Sequence, residues 1–182
     1  MNIYIRKSNQ SDLHEVYELN KKCLSDPFDE SRIAPYLDDS FVAVVVEIEG
    51  SNKIIGVLLQ GIIITRNPIL INPVDSNYKP DAFTPVNDAS KLFLENNIYF
   101  KNIRGIAILC IDSIFRSKGL AQKLIEKHWQ NNPNNFSYLN VRVSNKNAYI
   151  LYKKLGYQDI AIIKNNYLFE DSIFMVKDLT KI

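Results

Sequence analysis

Short apolar runs with a period of two residues alternate along the chain with segments that have a helical period. Strand-like runs of alternating or continuous apolar residues occupy 2–7, 41–49, 54–64, 106–111, 138–143, 157–163 and 172–179. Apolar residues at helical spacing occupy 13–24, 31–37, 120–130 and 146–155. This mixture, with no internal repeat and no sign of a second domain, predicts a single α/β domain over residues 1–182.

One connection is much longer than the others: residues 66–97 show little periodicity of either kind. The segment is rich in proline, asparagine and aspartate. A connection of this length without regular structure is usually functional or disordered. Its apolar residues, among them Phe83 and Phe93, indicate that it packs against the rest of the domain. We interpret 66–97 as an insertion between two strands.

The clearest chemical feature follows the apolar strand 106–111. Residues 116–119 (RSKG) make a short basic turn, and the next helix begins directly after it at Leu120. The first N–H groups of a helix have no partner inside the helix and lie at the positive end of its dipole, and glycine lets a ligand approach the backbone. The turn therefore predicts an anion site suited to a pyrophosphate. The alternative is an ordinary strand–turn–helix junction with solvated basic side chains.

Composition and charge narrow the classes of function. The 182 residues carry a formal net charge of +2, which argues against a protein that binds nucleic acid through a large basic face. The start of the chain lacks the apolar core of a signal peptide and no apolar run is long enough for a bilayer, so we expect a cytoplasmic protein with no membrane partner. Cys23 and Cys110 have neither metal-ligand nor redox spacing, so no metal is expected. The oligomeric state is left open.

The strand, basic turn and helix together resemble the acetyl-CoA motif of the GNAT acetyltransferases, Gln/Arg-x-x-Gly-x-Gly/Ala. The resemblance covers residues 99–179 closely and residues 1–64 in the order of their elements. It implies a mixed, mostly antiparallel central sheet with flanking helices, and acetyl-CoA as co-substrate. The contacts it implies are backbone groups at Leu109 and Ile111 along the pantetheine arm, and Arg116, Ser117, Lys118, Gly119, Leu120 and Ala121 around the pyrophosphate.

A second motif of the same family surrounds Tyr152. Residues 141–157 (VRVSNKNAYILYKKLGY) are similar to the family pattern Ser-Asn-x-x-Ala-x-x-x-Tyr-x-x-x-Gly-Phe/Tyr. The resemblance implies that Tyr152 protonates the departing CoA sulfur, and a phenol with a pKa of about 10 can do so without being ionised itself. It also assigns a CoA contact to Asn145, although an asparagine at this place serves equally well as a helix cap. The alternative for Tyr152 is packing alone.

The general base is the weakest part of the resemblance. Many N-terminal acetyltransferases carry Glu or His at the position of Asn140, and many histone-type relatives carry Glu at that of Gly105. Neither residue here has a titratable side chain, and an amide accepts no proton near neutral pH. We therefore expect Asn140 to hold a water or the amine itself, while the proton leaves through ordered water. His128, on the helix after the basic turn, is expected at the surface.

Within the family, the chain is most similar to N-terminal protein acetyltransferases of the ribosomal-protein-alanine type. The resemblance places the Tyr167 hydroxyl at the peptide backbone, and Pro27 with Phe28 on the opposite wall. An α-amine has a pKa of about 8 and lysine one of about 10.4, so an enzyme without a strong base should favour the α-amine of a protein or peptide N-terminus. The alternatives are a small amine (polyamine, aminoglycoside or amino acid) as acceptor, or an inactive CoA-binding interaction protein. The alternative for these side chains is packing alone, with Tyr167 in the last hairpin and Phe28 in the core.

Overall fold

The computed structural model describes residues 2–37, 43–51, 53–64, 83–88, 101–132, 135–167 and 170–181. The strands are β1 (Ile3–Lys7), β2 (Ala43–Ile48), β3 (Lys53–Ile64), β4 (Phe83–Pro85), β5 (Lys101–Ile111), β6 (Phe136–Arg142), β7 (Gln158–Tyr167) and β8 (Glu170–Asp178). The α-helices are α1 (Leu13–Cys23), α2 (Glu30–Ile33), α3 (Leu120–Gln130) and α4 (Lys146–Lys154), and 3-10 turns lie at Gln10–Asp12, Ala34–Leu37 and Ser113–Phe115. None of the helices in these ranges is long and apolar enough to cross a membrane.

The chain forms two compact units: unit 1 comprises residues 1–61 and 106–133, and unit 2 comprises residues 62–105 and 134–182. In unit 1 the strand order is β1-β2-β3-β5, with antiparallel pairing of β1 with β2 and of β2 with β3. Helices α1 and α2 cover one face of these strands. The core residues on this face are Val16, Leu19, Ile33, Leu37, Val45, Ile54, Val57, Leu59, Ile108 and Cys110.

Helix α3 covers the opposite face of the unit 1 strands. Side chains alternate along a strand, so Leu58 and Gln60 of β3 face away from the core residue Leu59. The side chain of His128 on α3 bonds that of Gln60, which places α3 on their side. Because both faces are covered, β3 is an almost continuous apolar run, as its sequence indicates.

Unit 2 has the strand order β6-β8-β7-β4. Its three pairs are antiparallel: β6 with β8, β7 with β8, and β4 with β7. Helix α4 ends at the left-handed Gly156, whose φ is +86°, as the sequence predicts. The ring of Tyr157, directly after this turn, is buried, and its hydroxyl lies 2.7 Å from Oγ of Ser137 on β6.

The predicted architecture, a mixed and mostly antiparallel sheet with flanking helices, is confirmed. The differences lie in strand length: β5 begins at Lys101 rather than near 106, and β7 continues to Tyr167. Strand β4 was not predicted, and it falls inside the segment 66–97. Residues 83–88 are the part of that segment that the structure describes, so the interpretation of 66–97 as an insertion stays a prediction, as does the single domain 1–182.

Candidate functional site

In unit 1, strand β5 ends in a basic loop that leads into helix α3. Gly119 is the N-cap residue of α3, with φ +74° and ψ 4°, and no side chain of the described residues caps the helix. Ser117 also has a positive φ, +60°. The first N–H groups of α3 therefore have no side-chain acceptor from the described part of the protein, and they can bind an anion.

The residues of this loop fit the pyrophosphate of CoA. A Cβ atom at Gly119 would meet no described atom within 4 Å, so a ligand can approach the backbone there. Of the predicted contacts, Arg116, Ser117 and Lys118 are exposed, Ala121 is half-buried and Leu120 is buried. Leu120 can therefore serve a ligand only through its backbone, while Arg116 and Lys118 add positive charge.

Arg116 also braces the loop from within. Its Nε donates a hydrogen bond of 3.0 Å to the backbone carbonyl of Ile111, at the end of β5. The thiol of Cys23, at the end of α1, donates to the same carbonyl at 3.5 Å. Two protein donors thus use this oxygen, so the predicted contact of Ile111 with the pantetheine arm cannot go through it. For Leu109, which is half-buried, the contact stays a prediction.

In unit 2, helix α4 carries the predicted acid and the predicted CoA contact. Asn145 is the N-cap: its Oδ1 accepts a hydrogen bond of 3.2 Å from the N–H of Ala148. A contact with CoA would therefore use its amide nitrogen. Tyr152 is 7% exposed, and its ring packs edge-on against Tyr157 with 5.7 Å between ring centroids. This packing holds the ring in place, as both interpretations of Tyr152 require.

Asn140 lies on β6 with its side chain only half-buried, but its Oδ1 atom is fully buried. No described residue donates a hydrogen bond to this oxygen. A buried acceptor without a donor costs about 1–3 kcal/mol. The atom can therefore accept a further hydrogen bond, and the role of Asn140 in holding an amine or a water stays a prediction.

Gly105, the position at which many histone-type relatives carry Glu, is covered by a tyrosine. A Cβ atom at Gly105 would overlap the ring and the hydroxyl group of Tyr138 on β6. Tyr138 is buried, and its ring lies 5.9 Å from that of Phe174 on β8, between centroids. A carboxylate at position 105 would have to displace this ring. The Tyr138 ring therefore requires a residue without a side chain at position 105, and the sequence alone did not indicate this relation.

Tyr167, at the end of β7, meets the residues of β6. Its hydroxyl donates a hydrogen bond of 3.3 Å to the backbone carbonyl of Asn140. The guanidinium carbon of Arg142 lies over its ring, 4.1 Å from the centroid. Burial raises the pKa of Tyr167, and the charge of Arg142 opposes this rise. The structure thus brings two predicted site residues, Asn140 and Tyr167, into contact, and adds Arg142, which was not predicted.

The sequence of residues 95–170 matches the family model of the acetyltransferase (GNAT) domain. This match confirms the resemblance drawn from the two motifs, and it supports an N-acetyltransferase enzyme with acetyl-CoA as co-substrate. Among curated proteins, none matches the sequence significantly.

Solved structures share the GNAT fold over nearly the whole chain. The ribosomal-protein-S18-alanine N-acetyltransferase of Escherichia coli has a TM-score of 0.70 at 17% identity, covering 98% of this chain and 94% of that chain. NAA60 of Arabidopsis thaliana, in complex with acetyl-CoA, has a TM-score of 0.73 at 17% identity, covering 97% and 99%. The NatC complex bound to Gag peptide and CoA gives 0.71 at 18%, covering 98% and 99%. At such identities the likeness establishes the fold.

The remaining predicted acceptor residues, Pro27 and Phe28, lie in unit 1 after α1. Pro27 is exposed and Phe28 is half-buried at the edge of the core. The guanidinium carbon of Arg32 lies 3.9 Å from the Phe28 ring centroid, and Nδ2 of Asn20 donates to the Phe28 carbonyl at 2.8 Å. Phe28 is thus a packing residue with a fixed backbone, and its contact with an acceptor stays a proposal.

His128 is buried, so the expectation of a surface histidine was wrong. Its relative exposure is 0%, and its Nδ1 lies 2.8 Å from Oε1 of Gln60, which is equally buried. The reason is helical spacing, because the apolar stripe of Leu120 and Leu124 continues to position 128. Gln60 supplies the polar partner that the buried ring needs. Within the described ranges, no group of three or more His, Cys, Asp or Glu side chains could hold a metal ion.

The two cysteines are neighbours in unit 1, although their spacing in sequence suggested no relation. Cys110 donates a hydrogen bond to Cys23, and this bond, with the help of the charge of Arg116, lowers the pKa of Cys23 to about 7. The same bond, together with burial, raises the pKa of Cys110. Cys23 therefore loses its proton near neutral pH, and with it the bond to the Ile111 carbonyl, while Cys110 stays a thiol in the core.

Proposed function

We propose that the protein transfers an acetyl group from acetyl-CoA to the α-amine of a peptide or protein N-terminus. Two structural neighbours support this acceptor class: the Escherichia coli protein is an alanine N-acetyltransferase for ribosomal protein S18, and the NatC structure holds a peptide together with CoA. The observation that carries the proposal is the contact between Asn140 and Tyr167 in unit 2, at a place where neither Asn140 nor Gly105 supplies a base.

The N–H groups at the start of α3 hold the pyrophosphate, with Arg116 and Lys118 adding positive charge. Ser117, Leu120 and Ala121 contribute backbone groups on either side of Gly119. Acetyl-CoA supplies the thioester whose carbonyl carbon the amine attacks. Leu109, Ile111 and Asn145 complete the proposed set of contacts to this co-substrate.

On the acceptor side, Oδ1 of Asn140 accepts a hydrogen bond from an N–H of the incoming neutral amine, or from an O–H of a water that takes the proton of the amine. The Tyr167 hydroxyl exchanges its hydrogen bond with the Asn140 carbonyl for one with the peptide backbone. Pro27 and Phe28 contact the first side chain of the peptide. Because an amide cannot keep a proton near neutral pH, the proton of the amine leaves through water.

Tyr152 is the general acid of the proposed reaction. Its hydroxyl donates a proton to the departing sulfur, and its position is fixed by the edge-on contact with Tyr157. A phenol has a pKa of about 10 and a thiol one of about 8.5, so a tyrosine hydroxyl can donate to the departing sulfur without being ionised itself.

The absence of a titratable side chain at positions 105 and 140 favours the α-amine as the nucleophile. At pH 7 the neutral fraction of an α-amine is about 200-fold larger than that of a lysine side chain, from pKa values of about 8 and about 10.4. An enzyme that cannot deprotonate its acceptor depends on this fraction. We therefore expect kcat/KM for a peptide to rise with pH up to about 8 and then to level off.

The proposal is tested by release of free CoA thiol in three parallel reactions, with N-terminal peptides, with free polyamines and amino acids, and without acceptor. We expect rapid release with the peptides alone. Release with the small amines and not with the peptides would support the alternative acceptor class. Release that does not depend on any acceptor would contradict transfer to an amine altogether.

A further inference from the structure

Glu170, the first residue of β8, lies where three parts of unit 2 meet. In the β7–β8 pairing it stands opposite Tyr167. Its Oε1 accepts a hydrogen bond of 2.7 Å from the backbone N–H of Ser144, in the turn between β6 and α4. Its Oε2 lies 3.5 Å from Nη1 of Arg142, at the end of β6. One carboxylate thus contacts the end of β6 and the turn that begins α4.

On the acceptor side, the contact continues through Arg142 to Tyr167. The guanidinium lies 4.1 Å from the centroid of the Tyr167 ring, where a cation is attracted by the ring face. The hydroxyl of the same ring is held by the Asn140 carbonyl. Arg142 therefore fixes the plane of the ring, and Glu170 in turn fixes Arg142.

On the opposite side, the contact continues through Ser144 to helix α4. The next residue, Asn145, is the N-cap of α4, and the helix carries Tyr152. A second bond holds the same turn, because the N–H of Val143 donates to the carbonyl of Asp171 at 3.2 Å. The place at which α4 begins is thus set by the first residues of β8.

The carboxylate is charged at neutral pH. Its hydrogen bonds to Ser144, assisted by the charge of Arg142, hold the pKa of Glu170 below its usual range. The side chains of Glu170 and Arg142 are both about a quarter exposed, at 27% and 22%. Partly exposed ion pairs contribute little to global stability. The consequence of losing Glu170 should therefore be a change of geometry more than a loss of folding.

We propose that Glu170 is a positioning residue for acetyl transfer, which holds the acceptor-side Tyr167 and the start of α4 in one arrangement. The inference rests on the proposed function, since it takes Tyr167 to contact the acceptor and Tyr152 to be the acid. Disturbance of Tyr167 raises the KM for the acceptor, and disturbance of α4 lowers kcat. Glu170 bonds Arg142 and Ser144 and not the loop at Gly119, so the pyrophosphate contacts are kept. Disturbance of Asn145 then lowers the affinity for acetyl-CoA only slightly.

Two substitutions of Glu170 separate its two contacts. Glu170→Gln keeps an oxygen acceptor for the Ser144 N–H but loses the charge toward Arg142, so the KM for the acceptor should rise about fivefold with kcat nearly unchanged. Glu170→Ala loses both contacts, so kcat should fall as well, by about tenfold. Affinity for acetyl-CoA should stay within about threefold in both.

The matched control is the neighbouring carboxylate. Asp171 binds Nζ of Lys164 at 2.6 Å and the N–H of Asn165 at 3.0 Å, on its own hairpin. Asp171→Asn should leave both KM and kcat within about twofold of the wild type. If Glu170→Ala had the same KM and kcat as Asp171→Asn, and differed only in thermal stability, the role of Glu170 would be structural and the inference overturned.

A readout without turnover keeps this inference separate from the proposed function. In protein labelled with fluorotyrosine, the NMR signal of Tyr167 is assigned with Tyr167→Phe. We expect the signal to shift in Glu170→Gln and in Arg142→Gln, and to stay in place in Asp171→Asn. A Tyr167 signal unmoved by either Glu170 substitution overturns the inference. A wild-type enzyme that acetylates only another amine overturns the proposed acceptor instead, and the kinetic test is then made with that amine.

Discussion

The loop before α3 can bind a ligand through backbone N–H groups, whereas the side chains of the β7–β8 hairpin are already engaged in contacts within the protein. In the loop, Gly119 has a left-handed conformation and the helix has no side-chain cap from the described residues. In the hairpin, Tyr167 is bonded to Asn140 and covered by Arg142, which Glu170 holds. The first site is therefore local and the second is a network.

This difference determines how each site responds to change. A site made of N–H groups tolerates most side-chain substitutions, but fails where a substitution alters the backbone conformation or adds negative charge. A network of side chains responds to the loss of any member, and its responses are not additive. We expect the same contrast between cofactor affinity and acceptor kinetics in the variants that follow.

The largest effect on acetyl-CoA affinity is expected at Gly119. Gly119→Glu adds a negative charge at the pyrophosphate site and a side chain at a φ of +74°, so the affinity for acetyl-CoA should fall by about 100-fold or more. Gly50, in the β2–β3 turn, is the matched control, because its φ is +75° and a Cβ there also meets no described atom within 4 Å. Gly50→Glu should show a similar loss of stability with normal binding. Equal thermal shifts with acetyl-CoA in the two variants would contradict the assignment of the loop.

Tyr152→Phe separates the rate of the chemical step from the affinities of the two binding sites. The substitution removes one donor and little volume, so kcat should fall by about 100-fold while the affinities for acetyl-CoA and acceptor change little. Tyr149→Phe on the same helix is the control, because the Tyr149 hydroxyl bonds Asp159 at 2.8 Å instead. Full turnover in purified Tyr152→Phe would exclude the acid role.

Replacement of residues 66–97 by a short glycine-containing turn tests whether the acceptor side can be altered alone. Strand β4, inside this segment, pairs with β7 of the hairpin, with Phe83 opposite Ile163. We expect acetyl-CoA affinity within about twofold of the wild type and a loss of about tenfold in kcat/KM for the acceptor. A variant that no longer folds would show that the segment belongs to the core.

The smallest effect is expected behind the loop, at Cys23. Its pKa in the folded protein, about 7, lies below that of a free thiol, so the stability it contributes is present above the free-thiol pKa and is lost as the pH falls through about 7. Denaturation of Cys23→Ser should therefore show a larger loss at pH 9 than at pH 6, by roughly 1 kcal/mol. In Cys110→Ala, which lacks the donor to Cys23, most of this pH dependence should disappear. The same loss for Cys23→Ser at both pH values would contradict the shift.

The loop could be predicted from sequence because its determinants are neighbours in the chain. The apolar strand, the glycine and the following helix stand in one stretch, and the cap at Asn145 is equally local. The family pattern around these stretches added the identity of the ligand. Such signals depend on backbone conformation, which the nearest residues largely decide.

The acceptor network could not be predicted in the same way, because its members meet only through strand register. Arg142 is placed beside the hairpin by its pairing with Ser172, and Glu170 reaches Ser144 across the same register. The overlap between position 105 and the Tyr138 ring likewise depends on how two strands lie together. His128 shows the same limit, since its partner Gln60 is distant in sequence.

The proposed transfer to an α-amine, with no titratable side chain at positions 105 and 140, is tested with one peptide that contains both a free N-terminus and a lysine. The peptide is incubated with acetyl-CoA and the wild-type protein at pH 7, and fragmentation in a mass spectrometer then locates the acetyl group. We predict acetylation of the α-amine, with the lysine unmodified at early times. Acetylation of the lysine side chain alone would contradict the account.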